Sequence, residues 1–597
     1  MRGLQNLAAI ALPKSGVPLD QVIADLDLVA SRLEAEYPDF NTNLTVRPAG
    51  LLDGPVARVG PALYVLLGAV GFLLLLACAN VSNLLLARSV ARGREVAIRA
   101  ALGAARGRML RQFVTENLFL AAAGAGVGVV LAIALKGTVL ALAPDGLPRM
   151  DDITLDWRVF GIIFGVMVVV GLGLGGVSAA HLTIADGMED LRDGARSGGG
   201  PRARRFRQAL TALEVALSVM LLVGAVTLGR TFLNLRRIEP GFDPASVLTA
   251  RVVQPFRMTS FEGFGRMIPV WARFQRSLIE QVESIPGVRA AAVASTLPLT
   301  GAWESTGFSI EGKPAPTPGN PYTAFFAGVS EGYFSALRVP VIRGRTFSRA
   351  DPDSVPVAVI SETLARAYWP NEDPLGQRIR VFGDFPLQIV GVVGDVRQRQ
   401  LGSEPERMLY LPPSVYTGPS VTLVVSTTGA PLSIVPTVRE RLRALDRGTP
   451  LTAVASMEDI LAESLAQQRF SATLLGVFST AALALAVLGL YSVISFGVAR
   501  RAREFGVRLA LGAHPGRVQR MVLREGLTLS LVGVGAGVAG AAALSRVVSG
   551  LVYGASTTDP ATLLGVAALL TTVTLIATLV PARRAMTVDP AVVLREE

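Results

Sequence analysis

The side chains that most often carry catalysis are scarce in this chain of 597 residues. Its histidines are His181 and His514, and its lysines are Lys14, Lys136 and Lys313. A P-loop needs a lysine in the frame G-x-x-x-x-G-K-S/T, where it reaches the nucleotide phosphates, and no lysine stands in that frame. The sequence also has no G-x-S-x-G elbow and no cluster of Cys and His with metal-ligand spacing. We therefore predict no catalytic residue, no metal site and no cofactor.

The polar residues that recur at fixed spacing lie in two basic segments, 94–128 and 503–537, which align without a gap. So regular a match indicates an internal duplication. In both copies a glutamate stands four residues before an arginine, and a Gly-Ala pair follows. The candidate residues are Glu95, Arg99, Gly103 and Ala104 in the first copy and Glu504, Arg508, Gly512 and Ala513 in the second.

A glutamate four residues before an arginine stabilises a helix, so each segment is predicted to contain a short amphipathic helix at the membrane surface. In the first copy we expect Gly107 to form the turn that ends this helix. The arginines could serve topology alone, by holding a loop in the cytoplasm. Topology requires only charge and not a repeated Glu–Arg frame, so the favoured interpretation is a docking surface for another protein.

Composition and hydropathy indicate a membrane protein. The chain is 51% hydrophobic, its mean hydropathy is +0.47 and its net charge is +11. The arginines gather beside apolar segments, which argues against a nucleic-acid surface and predicts contact with membrane lipid. Seven segments are long enough to span a bilayer: 61–87, 113–143, 157–180, 208–235, 470–499, 521–549 and 561–580.

The distribution of arginine predicts an orientation. The loops 88–111, 192–207 and 500–520 are arginine-rich and are therefore expected in the cytoplasm. This places the N-terminus of the sequence in the periplasm and the C-terminus in the cytoplasm. Arg236 and Arg237 fall on the outer side and depart from the rule locally.

Residues 236–466 are predicted to form one α/β domain outside the membrane. The apolar runs Val355–Ile360, Gln388–Val393 and Thr422–Ser426 are typical of strands, and 269–285 has the periodicity of a helix. The predicted fold class is therefore a polytopic α-helical membrane protein that carries an α/β domain.

Several polar residues fall in or near the predicted spans. Glu116 and Glu525 occupy equal positions of the repeat, and Glu214, Asn80 and Asn83 lie in other spans. Polar groups in a membrane cost free energy and often have a function, so a proton or substrate relay is one interpretation. Hydrogen bonding between helices, or placement at the interface, is the favoured one.

Glycines recur in the spans at helical spacing. Gly124 and Gly128 in the first copy match Gly533 and Gly537 in the second, and small residues four apart let helices approach closely. The G-x-G-x-x-G frame that begins at Gly535 lies inside a span, where a dinucleotide site has no preceding strand. We therefore expect these glycines to pack helices.

Several segments resemble a known family. The stretch ANVSNLLLARSVARGREVAIRAALGA (79–104) resembles the FtsX-like permease domain of MacB-type ABC transporters, and the α/β segment resembles the MacB-type periplasmic core domain. The segments that carry the resemblance in the core domain are EPGFDP (239–244), EGYFSALRVPVIRGRTF (331–347), VAVISETLARAYWPNEDPLGQRI (357–379) and IVGVVGDVR (389–397). PARRAMTVDPAVVLRE (581–596) is similar to the closing motif of the family, and IADGMEDLR (184–192) is a degenerate counterpart.

The resemblance implies two permease units in one chain, similar to the duplicated permeases described from acidobacteria. The expected domains are 1–60, a remnant of a first periplasmic domain; 61–207, the first permease domain, with cytoplasmic loops 88–111 and 181–207; 208–235, the leading span of the second unit; 236–469, the periplasmic core domain; and 470–597, the second permease domain. The first unit lacks its front, so we expect the sequence to be truncated at its N-terminus.

The resemblance also implies a mechanism. Such permeases sit in the bacterial inner membrane, bind an ABC ATPase subunit in trans and transmit its motion to periplasmic domains for export or efflux. The Glu–Arg segments would be the ATPase-coupling loops, and a periplasmic adaptor or hydrolase would be a further partner. One alternative is a non-transporting regulator that couples an ATPase to a periplasmic partner such as a cell-wall hydrolase; another is a truncated, nonfunctional product.

Overall fold

The computed structural model describes residues 10–37, 53–91, 106–144, 156–184, 201–256, 261–301, 304–314, 322–351, 356–382, 385–511, 513–548, 552–556 and 558–586. The chain divides into two compact units. The α/β unit comprises Met1–Gly54 and Leu235–Ala466, and the membrane unit comprises Pro55–Asn234 and Gln467–Glu597.

Long helices build the membrane unit. They are α2 (Asp53–Ala91), α3 (Arg106–Leu142), α4 (Trp157–Ile184), α5 (Pro201–Arg236), α11 (Ala466–Arg500), α13 (Pro515–Val548) and α14 (Pro560–Met586), with the short α12 (Ala502–Ala510) between α11 and α13. Among the described residues, six of these helices are long and apolar enough to cross a bilayer, and the described apolar part of α4 is the shorter Trp157–Gly173. The seventh span stays a prediction.

The α/β unit contains α1 (Leu19–Glu36), α6 (Phe261–Glu283), α7 (Tyr333–Ala336), α8 (Glu362–Tyr368), α9 (Val435–Leu445) and α10 (Met457–Ser464). Its strands are β1 (Val247–Val253), β2 (Val288–Ala294), β3 (Glu304–Ile310), β4 (Tyr322–Gly328), β5 (Val341–Gly344), β6 (Val357–Ser361), β7 (Arg378–Val381), β8 (Phe385–Val393), β9 (Met408–Leu411), β10 (Ser420–Thr427) and β11 (Leu451–Ser456). The three strands predicted from apolar runs correspond to β6, β8 and β10. The predicted helix 269–285 corresponds to α6, which begins earlier, so that Pro269 lies inside it.

Two sheets organise the α/β unit. An antiparallel sheet has the order β11-β1-β10-β2, and α6 and α9 cover its buried face through residues such as Leu278, Val282 and Leu442. The second sheet has the order β5-β8-β6-β9-β4-β3-β7 and mixes parallel with antiparallel pairs. Because β7 also pairs with β8, six of its strands form a closed ring around an apolar core.

Segments that are distant in the sequence meet at one corner of the α/β unit. The backbone N–H of Arg397 donates to the carbonyl oxygen of Pro240 at 3.0 Å. The carboxylate of Asp395 accepts hydrogen bonds from the backbone N–H and hydroxyl of Thr363, at 2.7 and 2.6 Å, and from Arg366 at 3.1 Å. The EPGFDP, ISETLARAYW and GVVGDVR segments therefore hold one another in place.

In the membrane unit, α5 is the helix with the most burial. Half of the residues in the most apolar stretch of α5 are buried, whereas none are buried in the corresponding stretch of α3. Side chains of α5 pack with α2 and α11 on one side and with α13 and α14 on another. At Gly533 and Gly537 of α13 an added Cβ would overlap Val215 and Val219 of α5, so the backbones approach closely there.

The expected glycine packing is therefore present in the second copy. In the first copy, a Cβ added at Gly124 or Gly128 would meet no described atom within 4 Å. Helix packing at that pair, predicted from the repeat, is not found among the described residues. The reason is that a glycine pair allows close approach but does not supply the partner helix.

We expect Gly241→Ala to destabilise the α/β unit by about 1–3 kcal/mol, because Gly241 has φ +86° and a Cβ there would overlap the backbone of Asp395 and Val396. Urea-dependent proteolysis of the α/β unit in the full chain measures the effect. Gly429→Ala is the control, because a Cβ at Gly429 meets no described atom within 4 Å. Equal stability of the two variants would contradict the prediction.

Candidate functional site

The structure describes only part of the predicted docking residues. Glu504 and Arg508 lie in α12, and Ala513 lies in the connection between α12 and α13. Glu95, Arg99, Gly103 and Ala104 of the first copy, and Gly512 of the second, lie outside the described residues. The structure therefore describes the Glu–Arg pair of the second copy only, and the pair of the first copy stays a prediction.

The Glu–Arg frame of α12 forms the expected ion pair. A guanidinium nitrogen of Arg508 lies 2.6 Å from Oε1 of Glu504, one helical turn away. Glu504 also accepts from Arg501, at 2.7 Å from Nε and 3.1 Å from a terminal nitrogen. The glutamate therefore holds an arginine on each side along the helix.

Arg501 was not among the predicted residues, yet it connects most of the local polar groups. It lies 3.4 Å from Glu525 of α13, within hydrogen-bond distance of the sulfur of Met521, and its guanidinium lies 5.1 Å from the ring centre of Phe505. Its hydrogen bonds to Glu504 raise the pKa of Arg501 above its ordinary value. The repeat carries the signal that could have found it, because Arg92 stands at the equivalent position.

Phe505 fixes α12 to the membrane helices. Its side chain is fully buried and packs with Leu490 and Ile494 of α11, Val518 of α13 and Ala582 of α14. A short helix of nine residues has little stability of its own, so this contact and the ion pairs hold it in place.

The turn that ends the Glu–Arg helix does not involve the residue that was expected to form it. The backbone N–H of Ala513 donates to the carbonyl of Arg508 at 2.9 Å, the bond of a Schellman cap, so the helix ends near Leu511. In the first copy Gly107, predicted to form this turn, lies in the first turn of α3. That prediction is wrong, because the chain there has already begun the next helix.

One face of this region carries both charge and an exposed apolar side chain. Leu511 is 83% exposed, and Val507 is half-exposed on α12. Arg503, four residues before Val507, is exposed on the same face of α12, and α13 adds the exposed Arg517, Arg520 and Arg524. An exposed leucine in a segment with several exposed arginines is a suitable anchor for a protein partner.

A second polar cluster lies inside the membrane unit. The amide nitrogen of Asn83 donates to Oε1 of the fully buried Glu214 at 3.0 Å, and the amide nitrogen of Asn80 donates to the carbonyl of Leu485 at 3.1 Å. Oε2 of Glu214 has no partner among the described residues. These bonds join α2, α5 and α11, which favours interhelical hydrogen bonding over a relay.

Glu116 and Glu525 occupy equal positions of the repeat but make different contacts. Glu525 lies 3.4 Å from Arg501, so it joins α13 to the start of α12. Glu116 accepts from Gln112, one turn earlier in the same helix, at 3.0 Å. Glu525 therefore makes the expected contact between helices, whereas Glu116 accepts this hydrogen bond within its own helix.

Comparison with known families accounts for most of the chain. The FtsX-like permease C-terminal model matches residues 67–185 and 476–590, and the MacB-like periplasmic core domain model matches residues 209–445. The chain belongs to the MacB/FtsX-like ABC transporter permeases. Its two permease matches agree with the internal repeat, and this MacB/FtsX-like permease is a multi-pass membrane protein with a periplasmic α/β domain.

Relatives of known name are distant. The chain is 27% identical over 349 residues to the macrolide export ATP-binding/permease protein MacB of Aggregatibacter actinomycetemcomitans, covering 56% of this chain and 50% of that protein. It is 29% identical over 299 residues to the pyoverdine export ATP-binding/permease protein PvdT of Pseudomonas entomophila, covering 47% and 44%. The chain thus spans about half the length of these relatives.

Among solved structures, the periplasmic region of MacB from Actinobacillus actinomycetemcomitans matches with a TM-score of 0.26 and 18% identity. The match covers 38% of this chain and 95% of that one.

We expect Phe505→Ala to loosen α12, because truncating a buried phenylalanine costs about 3 kcal/mol. Amide hydrogen exchange across 502–510, measured in the full chain in nanodiscs, should accelerate by roughly 100-fold. The control Val507→Ala truncates a half-exposed side chain of the same helix and should leave exchange nearly unchanged. Equal exchange in both variants would show that Phe505 does not hold the helix.

Proposed function

We propose that the chain is a permease subunit of an ABC transporter of the MacB/FtsX/LolC kind, which transmits the motion of a separate ATPase to the periplasmic domain for export or efflux. The observation that carries this proposal is the construction of α12. It is anchored to three membrane helices by Phe505, yet it presents an exposed leucine and arginines beside it. In this proposal the permease itself catalyses nothing, and the ATPase supplies the hydrolysis.

The anchoring of α12 gives a physical route for motion. A displacement of α12 would act on α11 and α13 through Phe505 and through the ion pair of Arg501 with Glu525. Close-packed helices move as bodies, since their interiors compress little. The contact of α13 with α5 at Gly533 and Gly537 would then carry the displacement to α5.

Two membrane helices continue into the α/β unit with short connections. α5 ends at Arg236, and β1, which lies between β11 and β10 in its sheet, begins at Val247. α10 ends at Ser464, and α11 begins at Ala466. A change in the spacing of α5 and α11 would therefore act directly on this domain.

Association with an ATPase tests the docking surface. We expect Leu511→Ala/Arg503→Ala to reduce copurification with the ATPases encoded beside this chain by about tenfold, the effect of losing a central apolar anchor and a nearby charge. The control Leu531→Ala truncates an exposed leucine of α13 within the span. Unchanged association of the double variant would sink the docking proposal.

The same proposal includes the first copy. We expect Arg99→Ala/Arg508→Ala to weaken association more than Arg508→Ala alone, because the repeat supplies two docking elements. In proteoliposomes, ATPase activity that rises with a transported compound would support export. ATPase activity that responds only to a periplasmic protein would support the regulator instead.

The proposed orientation has the N-terminus in the periplasm and the C-terminus in the cytoplasm. In a Cys78→Ser background, we expect a membrane-impermeant maleimide to label Glu404→Cys of the α/β unit in intact spheroplasts. We expect it to label Arg517→Cys only after lysis, because arginine-rich loops remain cytoplasmic. Labelling of Arg517→Cys in intact spheroplasts would contradict the orientation.

A further inference from the structure

A cavity of about 300 Å³ opens between α5, α11, α12 and α13 in the membrane unit. One part of its lining is cationic and comprises Arg207, Arg500 and Arg501. Another part is apolar and includes Val493, Phe496 and Leu529. The cavity is therefore amphipathic, with its charged and apolar walls contributed by the same helices.

The two walls lie at different depths in the membrane helices. Arg207 and Arg500 border the predicted spans 208–235 and 470–499, so both side chains are expected at the level of the lipid headgroups. Val493 lies two turns before Arg500, about 10 Å further along the helix. The order of cationic and apolar groups along the cavity thus matches that of a phospholipid.

Three arginines and one glutamate lie in the described lining, so its formal charge is positive. Glu525 is the one acidic residue in the described lining, and Arg501 pairs with it at 3.4 Å. Arg207 lies with its guanidinium 4.9 Å from the ring centre of Phe496. A guanidinium carries five N–H donors, so an arginine that already makes other contacts can also donate to a phosphate.

We propose that this cavity binds an anionic phospholipid, whose phosphate contacts Arg207 and Arg500 and whose acyl chain lies along Phe496, Val493 and Leu529. Basic pockets between membrane helices recognise anionic headgroups in this way. Charge complementarity argues for the headgroup, and the apolar wall argues for an attached chain rather than a free anion. The proposal concerns the lipid around the protein and does not depend on the proposed function.

The charge arm of the test uses the full chain in mixed phosphatidylglycerol and phosphatidylcholine. After purification, native mass spectrometry should show phosphatidylglycerol retained about tenfold over phosphatidylcholine, because the choline cation of phosphatidylcholine is repelled by the arginines that contact the phosphate. Arg207→Gln/Arg500→Gln should lose at least about fivefold of this retention. The control Arg503→Gln/Arg517→Gln removes the same charge outside the described lining and should retain it.

The steric arm leaves every charge in place. Gly497 lines the cavity, and a Cβ there would meet no described atom within 4 Å, so Gly497→Leu should fill the apolar wall and displace the lipid. Gly476→Leu is the control on the same helix, since Gly476 lies outside the lining and a Cβ there also meets nothing. Both variants favour helix formation, so loss of folding should not confuse the result.

Three outcomes would overturn the proposal. Equal lipid loss in both arginine variants would show general electrostatic attraction rather than a site. Retention that is unaffected by Gly497→Leu, or equal retention of phosphatidylcholine, would show that the cavity does not hold the lipid. Loss of phosphatidylglycerol only in Arg207→Gln/Arg500→Gln and Gly497→Leu would support it.

Discussion

The membrane unit depends on one close contact, where α5 lies against α13 at Gly533 and Gly537. A side chain at either glycine would overlap Val215 or Val219 and push the helices apart. Two apolar clusters meet on α5, one with α2 and α11 and the other with α13 and α14, and separating α5 from α13 would open the second. In a membrane such packing replaces the hydrophobic effect as the source of helix association.

Six of the seven predicted spans and three strands of the described chain could be predicted from the sequence, because hydropathy and periodicity are local properties. The spans and the strands β6, β8 and β10 follow from them, and the ion pair of Glu504 and Arg508 follows from their spacing. Packing between helices could not be predicted in the same way. Gly124 and Gly128 have the spacing of Gly533 and Gly537, but the described chain gives them no neighbour, because the repeat does not specify a partner.

In the candidate site, the burial of individual side chains likewise could not be predicted from the sequence. Spacing identified Glu504 and Arg508 but could not distinguish Phe505, which is buried against three helices, from Leu511, which is 83% exposed. Phe505 lies inside α12 and Leu511 follows its last residue, and both are apolar residues among charged ones. Arg501 was not predicted because it stands three residues before Glu504, outside the i,i+4 frame, although its equivalent Arg92 is present in the repeat.

The buried cluster of Asn80, Asn83 and Glu214 contains an asymmetry that duplication within one chain permits. The two permease matches begin at residues 67 and 476, which makes Asn80 equivalent to Gly489 and Leu76 equivalent to Leu485. Asn80 donates to both leucine carbonyls, at 3.2 and 3.1 Å, and a Cβ on Gly489 would overlap Asn80 and Glu214. In a symmetric homodimer equivalent positions carry the same residue, so an asparagine could not face a glycine. Two copies in one chain can differ here, and the glycine of one makes room for the hydrogen-bonding group of the other.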